Sequence, residues 1–190
     1  MSRLPAHLRT GRLFDYRIPI VTTIPPPAGA IDDTAARLAL RTLVDSFAAG
    51  CDRRDMTLYR SLWHEGSTLH AYWPDGRRTD RRPLDDEAHL LEFLEQYLHT
   101  FHFVGNQLVE LDGDRATGEV YCFAHHLYDL DGTTYDRVVA IRYHDRYRRG
   151  ERGWKFEHRD LYMLWAVELP LPDAQVMGPS SSESTGGGAS

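Results

Sequence analysis

The chain has 190 residues, 42% of them apolar, which suits one core-forming domain with tails. Its formal net charge is −6 and its acidic residues are dispersed, so no basic face is offered to nucleic acid, and nucleic acid is discounted as a partner. No apolar run approaches the ~20 residues that span a bilayer. No continuous apolar stretch accompanies the N-terminal arginines as in a signal peptide, and the two cysteines, Cys51 and Cys122, fit no metal or disulfide framework. A cytoplasmic protein is expected.

Residues 1–30 read as an extended arm. PIVTTIPPPAGA at 19–30 carries four prolines, which bar a regular helix or a central strand. Leu13, Phe14, Tyr16, Ile18 and Ile20 in this arm are available to pack on a neighbouring subunit. Asp32 and Asp33 are N-cap candidates for a helix over 33–51, where Leu40, Leu43, Val44, Phe47 and Cys51 recur at helical spacing. A short second helix is predicted over 55–63, and a strand over 67–73. PDGRRTDRRP then reads as a polar loop with four arginines.

A third helix is predicted over 85–99, with Leu90, Leu91, Phe93, Leu94 and Leu98 along it. His99 closes it, where a histidine suits the negative end of the helix dipole. Strands are predicted over 101–111, 115–128, 134–148 and 153–167. The Asp-Gly pairs at 112–113 and 131–132 are strong hairpin signals. The domain spans 31–170, and the Gly/Ser-rich stretch GPSSSESTGGGAS makes 171–190 a disordered tail. Helices followed by a long meander indicate an α+β fold with a curved, mostly antiparallel sheet. The sheet must curl around the first helix to bury its apolar stripe, leaving a cavity between helices and sheet for a small molecule.

Several polar residues are placed to face that cavity. Asp52 lies just past the first helix, at the edge of the buried stripe; the bland reading leaves it in water beside Arg53 and Arg54. On the strand from 101, His102, Val104 and Asn106 share a face. On the next strand, Val120, Cys122, Ala124 and His126 do. His70 and Tyr72 share a face on the strand from 67. In the last strand Phe156, His158 and Asp160 oppose Lys155, Glu157 and Arg159, and Arg159 in the bland reading makes a cross-strand ion pair. A histidine is a suitable base near neutral pH, and a carboxylate on its second ring nitrogen fixes its tautomer. Asp52 and His102 stand fifty positions apart, and the sequence by itself does not bring them together.

The order CDRRDMTLYRSLW, HFVGNQLVELDGDRATGEVY and GWKFEHRDLYMLW resembles the SnoaL-like branch of the nuclear-transport-factor-2-like superfamily over about residues 33–167. The resemblance implies a cone-shaped sheet with three helices enclosing a pocket. Within this branch, scytalone dehydratase and hexachlorocyclohexane dehydrochlorinase are the nearest guides. Both use a histidine–aspartate dyad, and the matching positions here are His102 and Asp52. The resemblance further implies a second pocket histidine at His126, a pocket tyrosine at Tyr72 and a pocket arginine at Arg159 in WKFEHR. An inward Arg159 requires Phe156 and His158 to point outward or to pack between subunits. Cys51 stands where scytalone dehydratase has a tyrosine, a departure that bears on the substrate.

The expected activity is therefore that of a lyase without cofactor or metal. His102, oriented by Asp52, abstracts a proton, while Arg159, His126 and Tyr72 assist the departing group. An aromatic-rich wall of Trp63, Tyr72, Phe101 or Phe103 and Trp165, with Phe47, Asn106 and Cys122, favours a small hydrophobic or aromatic substrate. Water is the leading departing group, with an aldehyde or halide as variants. The rival readings are an isomerase or cyclase in the same fold, a non-catalytic ligand-binding or assembly module, and a metalloenzyme using HDRY or AHHLY. Self-association as a dimer or trimer is expected from the resemblance.

Overall fold

The structure, a computed structural model, describes residues 30–176, with side chains from residue 33 onward. The expected arm up to residue 29 and the tail beyond 176 lie outside the described residues. The elements in chain order are α1 (Ala30–Asp52), α2 (Met56–Ser61), β1 (Trp63–Tyr72), β2 (Arg78–Arg81), α3 (Glu87–Glu95), β3 (His99–Asp112), β4 (Arg115–Leu130), β5 (Thr133–Gly150) and β6 (Gly153–Pro170). The six strands form one curved, unclosed sheet in the order β2-β1-β6-β5-β4-β3. β1 runs parallel to β6, and the other neighbours are antiparallel. No described helix is long and apolar enough to cross a membrane.

Three expectations are corrected. Helix α1 starts at Ala30, so Asp32 and Asp33 fall inside its first turn rather than before it. The polar loop after β1 contains a strand, β2, which pairs with β1 through Tyr72↔Arg78 to Leu69↔Arg81. Its sequence RTDR lacks an apolar pattern because it is an edge strand, and charge on an edge guards against further pairing. Helix α3 ends at Glu95, well short of His99. The Leu98 amide donates to the Leu127 carbonyl (2.7 Å), so β4 captures the chain first, and His99 opens β3 opposite Leu127.

The hairpin signals hold. Asp131 and Gly132 both take positive φ (51° and 77°), as a two-residue type I′ turn requires. The apolar stripe of α1 (Leu40, Leu43, Val44, Phe47, Cys51) is buried against the concave face of the sheet. That face is built by alternation: Val120, Cys122, Ala124 and His126 on β4, and Val139, Ile141, Tyr143, Asp145 and Tyr147 on β5, are all buried.

Register shifts re-aim the strands at chosen points. On β3, Val104 pairs with Cys122 and Gln107 with Val120, so Gly105 and Asn106 together oppose Tyr121. Arg41 of α1 secures this bulge by donating to the Gly105 carbonyl (2.7 Å) and the Val104 carbonyl (3.2 Å). On β6, Phe156 pairs with Tyr147 and His158 with Arg146, so Glu157 is the extra residue. Phe156 and Arg159 consequently both face the core, although simple alternation puts them on opposite faces.

Arg159 is the most unusual core residue, with no exposed surface. Its Nε and Nη2 donate to the two carboxylate oxygens of Asp145 (2.7 Å each), and the Tyr147 hydroxyl donates to Asp145 Oδ2 (2.7 Å). The guanidinium carbon lies 4.1 Å from the ring centre of Tyr143 and 4.3 Å from those of Phe47 and Phe156. These rings supply cation–π attraction in place of water. Burial opposes the charge, but Asp145 outweighs it and keeps Arg159 protonated. Removing one partner of a buried pair leaves the other charge uncompensated. Asp145→Ala is expected to lower the unfolding free energy by about 3–5 kcal/mol, measured by urea denaturation. A loss below about 1 kcal/mol, the level of an exposed pair, contradicts this account.

Candidate active site

A cavity of about 230 Å³ lies between the helices and the concave sheet face. Phe47 and Cys51 of α1 form one side, Leu90, Phe93 and Leu94 of α3 the roof, and Leu161 and Met163 of β6 part of the floor. The roof is tied down by Arg54, which donates from Nη2 to the carbonyls of Leu94 (2.9 Å) and Tyr97 (2.8 Å). The lining is dominated by apolar side chains, and two histidines, His102 and His126, enter it from neighbouring strands.

Asp52 is the last residue of α1, and its carboxylate turns to β3. It accepts three hydrogen bonds: from His102 Nδ1 (2.6 Å) to Oδ1, from the His102 backbone amide (2.8 Å) to Oδ2, and from Thr100 Oγ1 (3.0 Å) to Oδ1. Burial pushes its pKa up, but the bonds from His102 and Thr100 outweigh burial and hold it below the ordinary carboxylate value. Asp52 is therefore ionised at neutral pH. An ionised carboxylate can only accept, so Nδ1 of His102 carries the proton and Nε2 keeps its lone pair. The His102 side chain is 9% exposed and borders the cavity, leaving the Nε2 lone pair uncommitted.

His126 lies 6.0 Å from His102 between ring centres. Its Nδ1 donates to the Arg137 carbonyl (3.3 Å). Burial, with His102 adding to it, pushes its pKa down to about 4. The two histidines thus differ: one is backed by a carboxylate, the other is held neutral by its surroundings. The thiols of Cys51 and Cys122 are pushed up to about 12 and about 11 by burial, so neither offers a thiolate nucleophile near neutral pH.

The structure thus brings Asp52, His102, His126 and Phe47 together, and it separates the other expected residues from the cavity. Tyr72 alternates with the lining residues Leu69 and Ala71, so it lies on the opposite face of β1, where it stacks on Tyr162 (4.5 Å). Arg159 faces inward, but it lies behind Phe47 and Tyr143, bound to Asp145, and does not line the cavity. Trp63 is core, 4.8 Å from Phe156 between ring centres. Cys122 is buried beside Tyr143 and does not line the cavity that His102 borders. The β3 bulge carries Asn106 away from the face of His102, to a second depression with Phe103 and Trp165 on the outer face. Trp165 is 54% exposed, and Phe101 and Phe103 are 59% and 60% exposed, so all three belong to the outer face.

Sequence reasoning missed Thr100, Arg137 and Tyr97. Thr100 precedes His102 by two, so strand alternation places both on one face once β3 is known to begin at His99. Arg137 shares inward parity with Val139 and Ile141 and lines the cavity. Tyr97 lies beyond the end of α3, and its ring sits 4.8 Å from that of His126.

The model of the SnoaL-like domain family matches residues 32–160, more than half of the chain. No curated protein matches it. Among solved structures, a hexachlorocyclohexane dehydrochlorinase from Novosphingobium barchaimii superposes with a TM-score of 0.59 at 20% identity, covering 78% of this chain and 98% of that one. A protein named as a candidate scytalone dehydratase, from Novosphingobium aromaticivorans, gives 0.61 at 17%, covering 77% and 92%. A Kribbella flavida protein gives 0.61 at 19%, covering 72% and 95%. These likenesses establish a shared fold.

The two states of His126 set a pH dependence. Its folded-state pKa of about 4 lies below the ordinary 6.5, so folding favours the neutral ring. The associated stability is fully present above pH 6.5 and is lost as pH falls from 6.5 towards 4. The slope approaches about 1.4 kcal/mol per pH unit. His126→Phe removes a slope of that sign across this window, read by chemical denaturation at a series of pH values. Equal slopes in the two proteins contradict the assignment.

Proposed function

This chain belongs to the SnoaL-like domain family, and we propose that it is a cofactor-independent lyase that eliminates water from a small hydrophobic or aromatic alcohol. The 2.6 Å contact between the Asp52 carboxylate and Nδ1 of His102, whose ring lines a largely apolar cavity, carries the reading. A base needs its lone pair directed at the substrate and its other nitrogen held by an orienter, and this pair has both. Neighbours in the same fold named for dehydrochlorination and for scytalone dehydration agree with an elimination.

In the proposed cycle the substrate lies in the cavity with a C–H bond against His102 Nε2. The nitrogen takes the proton, and Asp52 stabilises the imidazolium. The C–H electrons form the double bond as the neighbouring C–O bond breaks. The imidazolium returns its proton to the departing hydroxyl, so water leaves and His102 is neutral again. His126, neutral and with Nδ1 committed to Arg137, presents Nε2 as an acceptor that holds the substrate hydroxyl in place. Arg159 and Tyr72, which do not line the cavity, take no step. General acid–base catalysis of this type is worth about 10²–10⁴-fold; positioning in an apolar enclosure supplies more. Loss of halide or of an aldehyde uses the same base.

A panel of aromatic and alicyclic alcohols, with halogenated cyclohexanes as a second set, tests the reading when products are followed by mass spectrometry. A product lighter by one water is expected. His102→Ala and Asp52→Asn should each slow its formation by about 10²-fold or more, with circular dichroism unchanged. Turnover that survives both substitutions within tenfold refutes the dyad, and a product of unchanged mass indicates an isomerase or cyclase.

The proposal includes self-association as a dimer or trimer and a cytoplasmic location. Phe101, Phe103, Phe123 and Trp165 expose a contiguous apolar area on the outer sheet face, with Phe123 and Trp165 6.3 Å apart. Both cysteines are free and buried, which agrees with a reducing compartment. Sedimentation velocity should give a dimer or trimer for the native chain and monomer for Phe103→Asp. A native monomer contradicts self-association.

A further inference from the structure

On the far side of the sheet from the cavity, His70, His158 and Asp160 converge. His158 Nε2 lies 3.0 Å and His70 Nδ1 3.2 Å from the same oxygen, Asp160 Oδ1. The three prospective ligand atoms all lie within 4.8 Å of one another. The register explains the meeting: His70 pairs with Asp160 across the parallel β1–β6 edge, and Thr68 pairs with His158. The bulge at Glu157 leaves His158 and Asp160 on the outer face, two positions apart. None of the three residues comes from the AHHLY or HDRY segments, although His144 of HDRY lies next to the cluster, paired with Asp160.

We propose that His70, His158 and Asp160 form a binding site for a zinc-type divalent transition metal, with one position left for water. Two imidazoles and one carboxylate are a donor set suited to zinc, and too nitrogen-rich for magnesium or calcium. Zinc bonds of about 2.0–2.2 Å hold ligand atoms a little over 3 Å apart. The two nitrogen–oxygen separations already match that spacing, and turning the imidazole rings closes the remaining one.

The outer partners are in place as well. His158 Nδ1 lies 2.6 Å from Thr68 Oγ1, and His70 Nε2 faces Asp80 Oδ1 at 3.9 Å. His158 thus turns one nitrogen to the shared site and hydrogen-bonds an oxygen through the other, the arrangement that orients metal-bound histidines, while His70 Nε2 has the Asp80 carboxylate as its charged neighbour. Without a metal the arrangement is less satisfied. Both near nitrogens must then donate to one oxygen, so a neutral His70 turns its lone pair towards the Asp80 carboxylate. Metal binding at Nδ1 moves the single ring proton of a neutral His70 from Nδ1 to Nε2, on the side of the Asp80 carboxylate. His158 is 4% exposed, whereas the His70 and Asp160 side chains are 21% and 20% exposed, so the site is preformed on one side and open on the other. On the next strand His144, paired with Asp160, has a buried Nε2 with no hydrogen-bond partner, a further donor atom beside the site. A metal here staples β1 to β6, whose pairing is parallel and interrupted by a register shift.

Full-length protein stripped with a chelator and dialysed against zinc chloride tests the site. One equivalent of zinc per chain by elemental analysis, with a raised Tm, is expected. His70→Ala and Asp160→Asn change partly exposed positions and should weaken uptake by about tenfold or more, because loss of even an outer partner costs 10–100-fold. His102→Ala should bind as the native chain does, which separates this site from the cavity histidines. Absence of stoichiometric uptake, or uptake unaffected by both substitutions, overturns the proposal.

Discussion

The carboxylate of Asp52 is the hinge of the molecule. It ends α1, where the helix dipole is negative and a carboxylate is disfavoured. It is also half-buried, which adds a desolvation cost. Three donors from β3 compensate, one from the Thr100 side chain and two from His102. The same bonds dock the end of the helix against the sheet and so set which α1 residues face the core. They also fix the tautomer of His102. Helix docking and ring orientation share these contacts, so the geometry of His102 does not depend on a flexible loop.

A second constraint is parity. A strand residue faces the cavity only if its count from the last register shift is right. The Glu157 bulge brings Phe156 and Arg159 to one side and sends His158 and Asp160 to the other. The Gly105–Asn106 bulge keeps Val104 and Gln107 inward and turns Asn106 out. Arg41 pins that bulge from α1, so helix position and strand parity are set together. The inward Arg159 is absorbed by Asp145 and three aromatic rings rather than released to the cavity. Phe47 and Tyr143, which line the cavity, are also the rings that cover it.

The apolar enclosure makes the few polar groups matter. Little water competes with them, so each interaction is stronger than at the surface. Enclosure keeps both cysteine thiols protonated and His126 neutral, while the Asp52 contact keeps one carboxylate charged beside His102. The difference between the two histidines follows from what each touches.

Much of the fold is legible in the sequence because it rests on local physics. The α1 stripe from Leu40 to Cys51, the alternation of Val120 to His126, and the Asp-Gly turns are periodic or dihedral signals that survive without knowledge of partners. The order of motifs, by resemblance, also brings Asp52, His102 and His126 forward as site residues. Three kinds of information are absent from any local window. Edge strand β2 has no apolar pattern to announce it. Where β3 begins depends on capture of Leu98 by Leu127, so His99 looked helical. Bulges depend on the partner strand, so alternation places Asn106 on the face of His102, and an Arg159 turned inward by resemblance requires an outward Phe156, until the β3 and β6 bulges interrupt both counts; Tyr72, Trp165 and Phe101 or Phe103 are expected in a cavity whose side of the sheet only the assembled strands define. Sequence determined the segments that carry a periodic or turn signal and which residues have suitable chemistry. Tertiary structure alone decided which face each side chain occupies, because facing is a property of strand pairs and not of one strand.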